Sequence, residues 1–190
     1  IPSKALLHIV KIVNETQHLS NVGVTFGDPE FDIPKIRDHK NKIISQLNGG
    51  ISQLAKARNV NVLCGKASFI NNSEVVVETS EKKEQIQFKN CIIASGSTAA
   101  MLPDLSLDHP SVLTSKTALD LDDVPGSLLI IGGGIIGLEL GQVYSTLGTD
   151  VSVVEYMPSL IPGADDDIAK PLIRKLKKHF KSIMLSLIHI

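Results

Sequence analysis

The chain is poor in cysteine, in charge of one sign and in long hydrophobic runs, and each shortage removes a class of protein. Its two cysteines, Cys64 and Cys91, are too few and too far apart for a disulfide-rich secreted scaffold. They show none of the paired spacings of a zinc site, so a reducing compartment and no metal site are expected. Both sit in apolar, strand-like surroundings, Val60-Asn61-Val62-Leu63-Cys64 and Cys91-Ile92-Ile93-Ala94, where a free thiol is expected to be a buried small hydrophobe and not a redox centre. Nineteen basic and 20 acidic residues leave a formal net charge of -1, which gives no long-range attraction for nucleic acid or anionic lipid. The longest apolar runs, such as Ser127-Leu128-Leu129-Ile130-Ile131, stop far short of the roughly 20 residues of a membrane-spanning helix. The first stretch has no cationic start followed by an apolar run, so no signal peptide is visible. Beginning with Ile1-Pro2-Ser3, the chain reads as a piece cut from a longer protein. No internal repeat or low-complexity tract is present.

What remains is the composition of a soluble globular protein, 43% hydrophobic and 21% charged over 190 residues, enough for one domain or parts of two. From Ser3 to about Leu19 the apolar residues Ala5, Leu6, Ile9, Val10, Ile12 and Val13 recur at helical spacing after Pro2, which predicts an amphipathic helix. Asp32 as a cap, Pro34 in the first turn and the apolar face of Ile36, Ile43, Leu47, Ile51 and Leu54 predict a second helix to about Ala57. Gly49 and Gly50 inside it cost about 1 kcal/mol each relative to alanine. They serve either a close approach by a neighbour or ligand, or a kink.

Between Val60 and Ser95 the texture changes to short β-rich runs at 62–64, 75–79, 86–88 and 91–94, separated by polar turns such as Asn71-Asn72-Ser73. These predict a small meander ending in a buried strand. An irregular segment with Pro103, Pro110 and Pro125 then suits a crossing between domains, with a boundary near residue 107. Beyond it, strand 128–131, helix 135–147 and strand 151–154 make a β-α-β unit. Asp165 to Phe180 has a helical pattern with acids first and Lys175, Lys177 and Lys178 last, as the helix dipole favours. Pro171 would cost about 3 kcal/mol in its interior, so the helix is expected to start later or bend there.

Gly132-x-Gly134-x-x-Gly137 follows a predicted strand, opens a helix and precedes Glu155 at the end of the next strand, the full context of a dinucleotide fingerprint. Gly132 permits the tight turn, Gly134 lets backbone approach a pyrophosphate, and Gly137 lets helix and strand pack closely. Gly141 and Gly148 extend the pattern. The helix start offers unpaired N–H groups and the positive end of its dipole to phosphate. The Glu155 carboxylate can accept from ribose hydroxyls and would repel a 2′-phosphate, so NAD is expected over NADP.

Three strings, Ile1-Pro-Ser-Lys-Ala-Leu-Leu-His8, Ala94-Ser-Gly-Ser97 and Gly132-Gly-Gly-Ile-Ile-Gly-Leu-Glu-Leu-Gly141, resemble in order and separation the dihydrolipoamide dehydrogenases. The likeness is to the bacterial form of these class I pyridine nucleotide-disulfide oxidoreductases. It covers nearly the whole chain and includes Gly49-Gly50 and Val153-Val154-Glu155. It implies an α/β fold, two Rossmann-like dinucleotide-binding domains of a flavin disulfide oxidoreductase, both incomplete here. Residues 1–106 would be the C-terminal part of the FAD-binding domain with its β-meander, and 107–190 the N-terminal part of an inserted NAD-binding domain.

By the same resemblance Lys4 lies beside the flavin and pairs with Glu139, placing a cation where negative charge develops. Gly65 lies at the adenine end of FAD, and Ser95, Gly96 and Ser97 lie along it. Gly132, Gly133, Gly134, Ile135, Ile136, Gly137, Leu138, Glu139 and Glu155 carry NAD. Without the resemblance, Lys4 would read as a solvated surface lysine. Ser95 stands where the family more often has threonine, which keeps the hydroxyl.

The implied reaction passes electrons from a dihydrolipoyl arm to a redox disulfide, to FAD and to NAD, the partners being lipoyl domains of 2-oxo acid dehydrogenase or glycine cleavage complexes. It implies a homodimer in a bacterial cytoplasm or a mitochondrial matrix. The family's Cys-x4-Cys pair would end one residue before Ile1, and its C-terminal His-Glu dyad is matched by none of the six histidines, which are assigned to surface or packing. No catalytic residue is therefore expected in this chain, and the chain alone is expected to be inactive. After Phe180 the run Ile183 to Ile190 is not expected to track the family. The alternatives are a mercuric, glutathione or trypanothione reductase or a transhydrogenase of the same superfamily, against whose NADPH users Glu155 argues, or an inactive nucleotide-binding module.

Overall fold

The computed structural model describes residues 1–100, 105 and 109–186. Contacts divide the chain into two units, one made of 1–45 with 99–190 and the other of 46–98. The expected boundary near residue 107 lies outside the described residues.

The first unit opens with α1 (Pro2–His18), whose proline stands at the start, where a missing N–H costs nothing. A single 3-10 turn at Leu19–Val22 follows and closes on Gly23 at φ 88°. Helix α2 (Ile33–Ala57) begins in this unit and ends in the other. Asp32 caps it, its Oδ1 accepting the Lys35 N–H at 3.0 Å. The Lys35 ammonium and that N–H hold the Asp32 carboxyl below its ordinary range.

The body of the first unit is a parallel sheet in the order β4-β5-β6, formed by β4 (Ser127–Ile131), β5 (Asp150–Glu155) and β6 (Ser182–Leu185). Parallel neighbours need crossovers, and the helices α4 (Ile135–Thr146) and α5 (Asp166–His179) supply them. Helix α4 is apolar on more than one side because it packs on the sheet, on α1 and on a short helix α3 (Ser115–Asp120). Leu138, Leu140, Val143 and Tyr144 are buried there with Leu6 and Val10 of α1, Val151 and Val153 of β5, and Leu176 of α5. A Cβ on Gly141 would come within 2.7 Å of Phe180 Cζ and 2.9 Å of Ile130 Cδ1, so the absent side chain sets the spacing of α4 over the sheet.

The cations Arg37 and Lys40 of α2 cap the C-terminal end of α3. Buried Lys40 donates to the carbonyls of Leu119 (2.6 Å) and Asp120 (3.2 Å), and Arg37 donates to those of Leu121 and Asp122. Tyr144 Oη donates to the Ala118 carbonyl at 2.8 Å, so each of these five carbonyls has a side-chain donor. Burial, with Asp122, Asp123 and Asp120 near it, pushes the Tyr144 phenol above its ordinary pKa.

The second unit holds the rest of α2 and an antiparallel meander β1-β2-β3, of β1 (Lys66–Asn71), β2 (Glu74–Glu78) and β3 (Lys83–Gln87). Asn71 Oδ1 accepts the Ser73 N–H at 2.8 Å and builds the first turn. Here three expectations fail. Residues 62–64 and 91–94 form no strand, and Cys64 and Cys91 are exposed and not buried. An apolar run becomes a buried strand only if neighbouring strands take up its backbone N–H and C=O groups, and none flanks these runs among the described residues. Ile92 and Ile93 are accordingly 91% and 72% exposed.

Two further expectations concern the helices. Helix α2 runs through Gly49 and Gly50, and among the described residues a Cβ on either would meet nothing within 4 Å. Helix α5 does not start late but carries Pro171 in its interior, with Asp166 and Asp167 in the first turn and Lys177, Lys178 and His179 in the last. The chain after Phe180 forms β6 as far as Leu185, and residues 187–190 lie outside the described residues.

Candidate functional site

The site is the turn between β4 and α4. Gly132 adopts φ 103°, a conformation that favours glycine, and its N–H donates to Val154 O at 2.8 Å, tying the turn to the adjoining strand. A Cβ on Gly137 would sit 2.8 Å from Gly132 O and 2.9 Å from Ile130 Cγ2, so glycine there lets the helix start against the strand. Gly134, the N-cap of α4, is exposed; a Cβ on it would meet nothing within 4 Å, and no side chain caps the helix. The first intrahelical bond runs from Leu138 N–H to Gly134 O at 3.1 Å. The N–H groups of residues 134–137 therefore have no intrahelical partner and lie at the positive end of the helix, the arrangement that binds an anion. Ile135 and Ile136 beside it are 60% and 61% exposed. The open face at Gly134 together with the uncapped turn fits a pyrophosphate.

Glu155, at the end of β5, is buried beneath this turn. Its Oε2 accepts the Gly133 N–H at 2.6 Å and its Oε1 accepts the Met157 N–H at 2.7 Å. Each oxygen keeps a lone pair for a ribose hydroxyl. Gly133 is itself buried, its carbonyl accepting the Ile161 N–H at 2.9 Å. Leu138 faces the core.

On the neighbouring surface of the first unit Lys4 of α1 forms an ion pair with Glu139 of α4. The first unit thus brings together Lys4, the stretch 132–139 and Glu155. Gly65, Ser95, Gly96 and Ser97 belong to the second unit and are exposed in segments without regular structure. Gly96 adopts φ 73°. A Cβ on Gly65 would collide with the Glu78 carbonyl and lie 2.9 Å from Val77 Cγ1, so packing against β2 by itself requires a glycine. Five histidines lie among the described residues, four exposed and His179 half-buried, and His189 lies outside them. Among the described residues no cluster of three or more histidine, cysteine and acidic side chains could hold a metal ion, and no helix is long and apolar enough to cross a membrane.

Sequence reasoning missed the segment Met157–Ile161 that folds back over the glycine turn. Its fully buried Leu160 would touch any side chain placed on Gly133. The available signal was Ile161-Pro162-Gly163 after an apolar residue, a turn cue that does not say what the turn covers.

Over residues 1–186 the sequence matches the pyridine nucleotide-disulphide oxidoreductase family, so the likeness expected to end after Phe180 runs on to residue 186. It is 45% identical over 184 residues to a dihydrolipoyl dehydrogenase of Vibrio parahaemolyticus, covering 97% of this chain and 39% of the relative. A mitochondrial dihydrolipoyl dehydrogenase of Arabidopsis thaliana is 36% identical, with 97% of this chain and 37% of the relative covered. Among solved structures, the HOCl-induced flavoprotein disulfide reductase RclA from Escherichia coli superposes with a TM-score of 0.78 at 29% identity, over 98% of this chain and 39% of that one. LpdA from Mycobacterium tuberculosis superposes with a TM-score of 0.86 over 98% of this chain and 41% of that one, and at 20% identity it speaks for the fold alone. The chain thus spans about 39% of the length of the curated relatives it matches. The chain belongs to the pyridine nucleotide-disulphide oxidoreductase family.

Proposed function

We propose that this chain is the nucleotide-handling part of a dihydrolipoyl dehydrogenase, which oxidises protein-bound dihydrolipoamide and passes the electrons through a disulfide and FAD to NAD. The observation that carries the reading is the ion pair between Lys4 and Glu139. It joins the Ile-Pro-Ser-Lys helix to the helix that opens on the glycine turn, and so sets a cation beside a dinucleotide site. When bound, the flavin supplies the two-electron redox chemistry that no side chain of this chain can supply.

The residues here bind and orient. The first turn of α4 holds the pyrophosphate of NAD, and the Glu155 carboxylate takes the adenosine ribose hydroxyls and repels a 2′-phosphate. Lys4, held by Glu139, keeps positive charge at the flavin. Gly65 and Ser95-Gly96-Ser97 lie along FAD, their small side chains and the positive φ of Gly96 suiting close backbone approach.

In this reading residues 1–106 belong to the FAD-binding domain and 107–190 to the NAD-binding domain. The whole enzyme is a homodimer that serves lipoyl domains in a bacterial cytoplasm, or alternatively in a mitochondrial matrix. The 190-residue chain has no turnover of its own.

The test is to assay the enzyme that carries this segment, loaded with FAD, for NAD-dependent oxidation of dihydrolipoamide. Turnover with NAD that Lys4→Met lowers at least about tenfold is expected, since one removed electrostatic contact of this kind costs on that order or more. Turnover that prefers NADP, or that is indifferent to Lys4, would count against the reading.

A further inference from the structure

Four contacts link Glu155 at the end of β5, the segment after it and the glycine turn. Glu155 Oε2 accepts the Gly133 N–H at 2.6 Å, and Glu155 Oε1 accepts the Met157 N–H at 2.7 Å. Ile161 N–H donates to Gly133 O at 2.9 Å. Leu160, with no exposed surface, packs where a Gly133 side chain would stand, and that side chain would also come within 3.2 Å of Glu155 Cβ and Oε2. Both polar groups of Gly133 are therefore consumed inside the protein. The middle glycine of the turn binds no phosphate; it is gripped.

The grip is kept in a strained conformation. Ile161 is β-branched yet adopts φ 53°, and Gly163 adopts φ 94°; such backbone persists only where surrounding contacts hold it. Here they are the Gly133–Ile161 bond and the Ala164 N–H on Ile161 O at 3.0 Å. At the other end Ser186 N–H reaches Met157 O at 3.2 Å, which fastens the segment to the end of β6.

We propose that Met157–Ile161 is a clasp that fixes the pyrophosphate-binding turn, with Glu155 and Leu160 as positioning residues for the anion site in addition to any contact Glu155 makes with ribose. The clasp aims the uncapped N–H groups of α4 by immobilising the residue just before its N-cap. It rests on the dinucleotide reading above. Glu155 is unusual in serving it: a glutamine would have to turn its NH2 toward one of two backbone N–H groups, Gly133 or Met157, whichever way the amide is flipped. A buried donor would then face a donor.

The experiment uses the full chain and two probes, NADH and its reduced 2′,3′-dideoxyadenosine analogue, which lacks the hydroxyls that Glu155 would hold on the adenosine ribose. Binding is read by nicotinamide fluorescence, and the clasp is read separately by amide hydrogen exchange. Gly133 and Met157 amides exchanging among the slowest in residues 127–163 are expected. Glu155→Gln should weaken the dideoxy analogue by about tenfold, the order of one buried hydrogen bond lost with its partner left unsatisfied. Leu160→Ala should weaken both probes alike, whereas Leu160→Met, of similar volume, should restore them.

Unprotected Gly133 and Met157 amides, or analogue binding unchanged in Glu155→Gln, overturn the clasp whether or not NADH binds. Protected amides with no binding of either probe to the unsubstituted chain overturn the dinucleotide reading and the positioning role with it. They would leave a contact that only stabilises the fold.

Discussion

Residues 127–185 and residues 60–98 are written in much the same amino acids, short β-branched runs between polar turns, yet they end in opposite states. In the first stretch Val151, Val153, Leu160 and Leu176 have no exposed surface. In the second, Val77 alone among the apolar residues is buried, while Val62, Ile92 and Ile93 are 67%, 91% and 72% exposed. The difference is not hydrophobicity but partners. β5 has a strand on each side and α4 over it, whereas 62–64 and 91–94 have no strand beside them among the described residues. A run of apolar residues fixes what it wants to bury, and its neighbours decide whether it can.

The largest expected effect tests this contrast directly. Leu176→Ala should lower unfolding stability by about 2–5 kcal/mol, the range for truncating a fully buried leucine, while Ile92→Ala should change it by less than about 0.5 kcal/mol, as for a surface position. Urea titration of both variants measures this, and equal losses would erase the distinction between the regions.

Glycines sharpen it next. Gly137→Ala forces a methyl to within 2.8 Å of Gly132 O and should cost about 1–3 kcal/mol, as overpacking does. Gly49→Ala, in open space, should raise stability by about 0.5–1 kcal/mol by helix propensity alone. Thermal unfolding should therefore move in opposite directions for the two.

The smallest effect is on pH. Burial, reinforced by Lys175, His18 and Lys178, holds the His179 imidazole below its ordinary pKa. The unfolded chain then takes up the proton first as pH falls, so His179 contributes stability above about pH 6.5 that is lost as pH drops through the folded value. His179 is only half-buried, so the contribution is small. His179→Gln should flatten the acid side of the stability profile slightly, and a steeper profile would reverse the sign.

The same contrast explains what the sequence could reveal. The β4-α4-β5 unit was legible because its signal is local: three glycines at fixed spacing, a strand before, an acid after. Asp32 as a cap was legible for the same reason, its partner Lys35 being three residues away. Strand β1 was not, because Lys66-Ala-Ser-Phe-Ile-Asn71 alternates weakly and owes its state to pairing with β2. Helix α3 was missed although Thr114 and Thr117 form a capping box, since six residues are too few for a periodicity to show.

Cys64 and Cys91 are exposed where burial was expected, because burial depends on residues distant in the chain. Lys40 is buried, its ammonium donating hydrogen bonds to carbonyls 79 and 80 residues away. At the candidate site the glycine fingerprint was visible and the segment that grips it was not. A turn cue such as Ile161-Pro162-Gly163 announces a reversal of the chain but not its destination.

Parallel titrations of the full chain with NADH and NADPH test most directly the proposed NAD site at the β4–α4 turn with Glu155. Saturable binding of NADH, at least about tenfold tighter than NADPH, is the result the account predicts, since a carboxylate facing a 2′-phosphate costs on the order of 1.4 kcal/mol or more. Equal affinity for the two, or no saturable binding of either, would contradict it.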